Sequence, residues 1–183
     1  MIKASDKSIA LVEDIFQQGD KRYGDNPRAV TVASFLDNKA IEIEKISITP
    51  IQNPSKEELK DIKPPQEYYK FVGKKLLEEK GYKLMGFEVP FCGGIADILA
   101  KNPSKKETIA VECCPCRIDK AIKFLENKDT ILWILSLGKT GLPDEEIPLF
   151  VVKRGPNWDK SFETYKQFLK EQIKKIKNPL DNI

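Results

Sequence analysis

The sequence predicts an α/β protein: a mixed central β-sheet flanked by helices, with a helix and hairpin ahead of it and a C-terminal helix after it. Three observations carry the expectation. The runs at 95–100, 108–113 and 130–137 are too apolar, and too rich in Ile and Val, for surface loops, and read as buried strands. Segments 66–80, 118–127 and 158–177 repeat apolar residues at helical spacing. Their order, antiparallel strands and then a helix crossing to a further strand, calls for a mixed sheet with helices on its faces.

Taken in order, 5–18 reads as a helix with Ile9, Val12, Ile15 and Phe16 on one face, Ser5 or Asp6 at its start and Gly19 at its end. A polar loop follows at 21–27. Residues 29–36 and 39–48 are expected as a hairpin around Asp37-Asn38, because Ile41 and Ile43 alternate with Glu42 and Glu44. The connector 49–65 holds a helical turn capped by Ser55 and backed by Glu58. Pro64-Pro65 then opens the helix 66–80, whose buried stripe is Tyr69, Val72 and Leu76 and which Gly81 ends. A strand at 83–90, the Gly93-Gly94 turn and the two central strands come next. The helix 118–127 is marked by Ile118, Ala121, Ile122 and Leu125, and a short strand at 149–153 precedes the last helix. The chain thus divides into an N-terminal extension over 1–65, a core over 66–137 and a C-terminal strand and helix over 138–183, within one domain for 183 residues.

Composition sets limits on function. Apolar content of 40% and charged content of 32% are those of a soluble globular protein. No apolar run reaches bilayer length and the start, MIKASDKSIALVED, is too charged for a signal peptide, so a cytoplasmic protein without a membrane partner is expected. A net charge of +3 permits a nucleic-acid partner without arguing for one. Lys170, Lys174, Lys175 and Lys177, like Lys101, Lys105 and Lys106, read first as solvated faces. The chain has no histidine, which excludes Ser-His-Asp and Cys-His nucleophilic catalysis and every His-ligated zinc site. Acid–base chemistry must then rest on Asp, Glu, Lys, Tyr or Cys.

Two carboxylates in apolar strands need a reason. Asp97 lies in the run IADILA and Glu112 in TIAVEC, joined by the turn Asn102-Pro-Ser-Lys-Lys. With the turn centred on Ser104 and Lys105, Glu112 is the cross-strand partner of Asp97, and directly opposed side chains share a face at about 5 Å between Cβ atoms. Two buried like charges so placed repel. A divalent cation between them reverses the sign, as does a shared proton; a slip of one residue would instead put one carboxylate in solvent.

The four cysteines, Cys92, Cys113, Cys114 and Cys116, raise the alternative of a zinc or iron–sulfur site. Adjacent strand residues face opposite ways and the spacing lacks the paired C-x-x-C motifs of structural zinc sites, so buried free thiols are the simpler expectation. Gly138-Lys139-Thr140 is not the end of a phosphate loop, since the leading glycine position is Trp133.

The helix with an early Glu, the strand, the Asp in a second strand, the Glu in a third, and the following helix and strand resemble the PD-(D/E)xK nuclease superfamily, the restriction-endonuclease-like αβββαβ core. The likeness covers 66–137. It implies a nuclease that hydrolyses phosphodiesters, in DNA before RNA, with Mg²⁺ or Mn²⁺ as cofactor. By the same likeness Asp97 and Glu112 bind the metal, the main-chain carbonyl of Cys113 is a further ligand, and Glu67 is the assisting helix carboxylate. Two positions depart from the pattern. Ala96 stands where the superfamily often has Pro, and Cys114 stands where the lysine of ExK belongs. A lysine from the next helix would have to replace it, Lys120 ahead of Lys123. Without such a lysine the same fold would serve as an inactive nucleic-acid-binding or assembly module. The oligomeric state is left open; domains of this kind often pair into homodimers, and the 29–48 hairpin is the segment that would mediate such pairing.

Overall fold

In the computed structural model the described residues are 3–17, 27–49, 55–58, 60, 62, 67–113, 116–135 and 146–177. The apolar runs form the sheet and the amphipathic segments cover it. In chain order the elements are α1 (Asp6–Ile15), β1 (Phe16–Gln17), α2 (Pro27–Asp37), β2 (Ile41–Ile48), α3 (Glu67–Glu79), β3 (Lys83–Phe91), β4 (Gly94–Asn102), β5 (Glu107–Cys113), β6 (Cys116–Arg117), α4 (Ile118–Glu126), β7 (Thr130–Leu135), β8 (Ile147–Arg154) and α5 (Trp158–Lys177). The expectations at Gly19, Pro64-Pro65, Gln66, residues 136–137 and Gly138-Lys139-Thr140 lie outside the described residues.

The main sheet has the order β2-β8-β7-β5-β4-β3. β3, β4 and β5 are antiparallel neighbours, β5 and β7 run parallel across the α4 crossover, and β8 and β2 continue antiparallel. A mixed sheet between helical layers is the architecture expected from the element order. On one face α3 places Val72 and Leu77 against Ile98, Val111, Trp133 and Leu135. On the other, residues of α1, α2, α4 and α5 pack on Leu99, Ala110, Leu132, Ile134 and Phe150. Gly73 lets α3 sit close, since a Cβ there would press on the Ile98 side chain.

The N-terminal hairpin is a correction. Residues 29–36 are not a strand but most of helix α2, and β2 pairs with β8 instead. Burial explains the misreading: Thr31 to Phe35 are buried on consecutive positions, so no polar stripe marks the helix, and packing overrides the β preference of Val and Thr. The helix also ends without glycine. Lys39 takes φ of +57 in a Schellman motif, with Ala40 N–H donating to the Phe35 carbonyl and Lys39 N–H to that of Leu36. With α2 in place of the first strand, the hairpin expected to pair two copies is not formed; of that segment β2 lies at one edge of the sheet, and β3 forms the other.

Two further contacts fix the helices beside the site. The short parallel pair of β1 and β6 joins Phe16 to Cys116 and so ties the end of α1 to the start of α4. At the other end of α4 the Arg154 guanidinium donates to the carbonyls of Leu125 and Glu126 and lies over the Trp158 ring. Gly155 follows at once, and a Cβ there would run into the Lys39 carbonyl. Gly155→Ala should therefore cost about 3 kcal/mol by overpacking. Urea unfolding of both proteins checks this, and an unchanged midpoint would contradict the close approach.

Candidate functional site

The β4–β5 hairpin is built as its turn chemistry dictates. Asn102 accepts from the Ser104 N–H at 3.0 Å, closing the turn. The pairs then run from Asn102 opposite Glu107 to Ile98 opposite Val111, the register centred between Ser104 and Lys105. Continued by one step it sets Asp97 opposite Glu112. Beyond Ile98 a side chain takes over from the ladder: Cys113 N–H donates to Asp97 Oδ2 at 2.7 Å.

Glu112 is buried, and its carboxyl is raised from 4.5 to about 7. Burial is the main cause and the Asp97 charge adds to it, while the ammonium of Lys120 opposes both. Lys120 Nζ lies 2.9 Å from Glu112 Oε1. Lys120 and the Asp97 main-chain N–H both draw the carboxyl down as donors, yet among the described residues neither completes a well-formed hydrogen bond to this buried oxygen. An ion-pair distance with an unsatisfied oxygen leaves coordinating capacity at Glu112.

Lys120 reaches the pair because α4 buries Ile118, Ala121, Ile122 and Leu125 and turns position 120 toward the end of β5. Its stem passes Gly94, where an added Cβ would press on Phe124 and touch Lys120. The ammonium also lies over the Phe124 ring at 5.6 Å. Lys123 is exposed, its stem beside Gly93. Of the two lysines weighed from the sequence, Lys120 is the one in contact with Glu112.

The other expected site residues stand apart. Glu67 is the first residue of α3, in the layer across the sheet from α4. The Cys113 side chain faces the α3-side core, while its N–H serves Asp97. Cys114 lies outside the described residues. Among the described residues no group of three or more Cys, Asp or Glu side chains is arranged to hold a metal ion. What the hairpin provides is a pair of carboxylates. That number fits magnesium, which retains waters and takes one or two protein carboxylates together with substrate phosphates.

The cysteines do not converge. Cys113 and Cys116 belong to cores on opposite faces of the sheet, and Cys92 is exposed on the β3–β4 turn with Asn127 Nδ2 at 3.8 Å. Cys92 and Cys116 are free thiols, and burial pushes that of Cys116 far up.

Two residues near the site were not singled out from the sequence. Lys70 is buried on α3, and its Nζ lies 3.3 Å from Glu88 Oε1 on β3. Only a lysine within the apolar stripe of a helix could have hinted at it.

Comparison with protein-family models, with curated proteins and with solved structures finds no match for this chain. Among the described residues, no helix is long and apolar enough to cross a membrane.

Proposed function

We propose that this protein is a metal-dependent nuclease that hydrolyses phosphodiester bonds, in DNA before RNA, with a site of the PD-(D/E)xK kind. The observation that carries the reading is the pairing of Asp97 with the buried, incompletely satisfied carboxylate of Glu112 at the open end of the β4–β5 ladder. The succession α3, β3, β4, β5, α4, β7 and the neighbour order β3-β4-β5-β7 support it, being the order the resemblance calls for.

In this reading Asp97 and Glu112 hold Mg²⁺ or Mn²⁺, which when bound would acidify a water and offset charge on the phosphate. The Cys113 N–H fixes the direction of the Asp97 carboxylate. Lys120 supplies the cation that Cys114 cannot. Its ammonium neutralises Glu112 in the free protein, and with a phosphate present it is within reach of the charge that develops there. Glu67, at the start of α3, would assist through a direct or water-mediated contact.

A second reading has its own support. The Lys120–Glu112 ion pair already compensates one carboxylate, as it would in a module that binds nucleic acid without cutting it. Lys120→Ala separates the two. A nuclease should lose about 10²–10³-fold in cleavage rate, the scale of removing one charge-stabilising group, and still bind DNA. Unchanged cleavage would remove Lys120 from the mechanism.

A further inference from the structure

β3 and β4 keep one register from Gly86 to Phe91, past the bulge between Leu84 and Gly86, across one step that breaks the pleat. Phe87 opposes Ile98 and both belong to the α3-side core, whereas Val89 opposes Ala96 and both belong to the α4-side core. Residues two apart on a strand share a face. The alternation must therefore invert between these pairs, at Glu88 and Asp97. Glu88 has φ of +51, a left-handed conformation that is strained for a residue with a Cβ.

Beside that strained residue lies a second unfavourable feature. Lys70 is 2% exposed, and a buried ammonium is costly unless paired. Its Nζ is 3.3 Å from Glu88 Oε1, so the buried charge and the strained backbone sustain each other. At the inverted step the Asp97 carboxylate takes the Cys113 N–H, where a main-chain acceptor would otherwise stand.

We propose that Lys70 and Glu88 are a positioning pair: the ion pair reaching from α3 holds β3 in its inverted step and so sets the direction of the Asp97 carboxylate. Its consequence for metal affinity rests on the reading of Asp97 as a ligand; the direction of the carboxylate does not. The pair acts across the sheet from Lys120, so the carboxylates are held from both helical layers.

The test follows the Cys113 amide by NMR in wild type, Lys70→Met, Glu88→Gly and the double variant. A hydrogen bond to a carboxylate moves an amide proton downfield and protects it from exchange. Lys70→Met, close to volume-conserving, should return the Cys113 proton upfield and speed its exchange about tenfold, with the Ile134 amide of β7 unchanged. Glycine adopts the φ of residue 88 without strain, so Glu88→Gly should restore the Cys113 signal in the Lys70→Met background. A purely space-filling Lys70 would not be rescued that way. An unmoved Cys113 amide in Lys70→Met, or no rescue in the double variant, would overturn the proposal. If Lys70→Met does not fold alone, Glu88→Gly and the double variant are compared; matching Cys113 amides support the proposal and differing ones overturn it. Manganese titration of the same proteins should show about tenfold weaker binding in Lys70→Met. No binding in any variant, wild type included, would sink the metal reading and leave the positioning pair to be judged on the amide.

Discussion

Asp97→Ala is expected to abolish metal-dependent hydrolysis, lowering the rate by about 10³-fold or more, or about 4 kcal/mol at the barrier. The fold should survive. The change removes the acceptor of the Cys113 N–H, which costs about 1–3 kcal/mol for an unsatisfied buried amide. It also removes the negative charge that raises Glu112, and the two effects oppose each other. Melting curves with and without manganese, beside a cleavage assay, check both halves. Wild type should be stabilised by the metal and the variant should not. A variant that still cuts at the wild-type rate would contradict the assignment of Asp97.

Glu112→Gln is expected to change how stability depends on pH. The folded-state carboxyl titrates at about 7 against an unfolded value of 4.5, so the folded protein binds this proton more tightly. The stability it contributes is full below pH 4.5, declines as pH rises and is lost above about 7. At pH 8 the ionised, buried Glu112 should cost about 2–4 kcal/mol relative to its protonated form, at roughly 1.4 kcal/mol per pH unit. Glutamine removes that cost. Denaturant unfolding between pH 5 and 8.5 should show the variant gaining on wild type as pH rises, and the metal should reverse the order by stabilising wild type alone. Parallel stability profiles for the two proteins would contradict the buried, charge-opposed carboxylate.

The strand register was legible because turn chemistry determined it. Asn102 and Pro103 mark the bend, and from its centre the β5 partners of Ile98 to Asn102 follow by counting. The two helix ends show the limit of such signals. Both α2 and α3 close with the same pair of hydrogen bonds around a left-handed residue, but at α3 that residue is Gly81 and at α2 it is Lys39. Glycine announces the end of a helix; lysine does not, and Asp37-Asn38 then reads as a hairpin turn. In the candidate site, Asp97 and Glu112 were each legible as a charge in an apolar run, whereas Lys120 followed only from the resemblance, as a stand-in for the lysine that Cys114 displaces. Lys70 and Glu88 were not, because the inverted pleat depends on a backbone angle at Glu88 that its side-chain type does not encode.

The central claim is that the Asp97–Glu112 pair supports metal-dependent hydrolysis of nucleic acid. The most direct measurement incubates the wild-type protein with supercoiled, linear, branched and single-stranded nucleic acid, in magnesium, in manganese and in chelator. Cleavage of at least one substrate with either metal, and of none in chelator, is the expected result. No cleavage of any substrate with either metal, while the protein still binds DNA, would contradict it and favour the binding module.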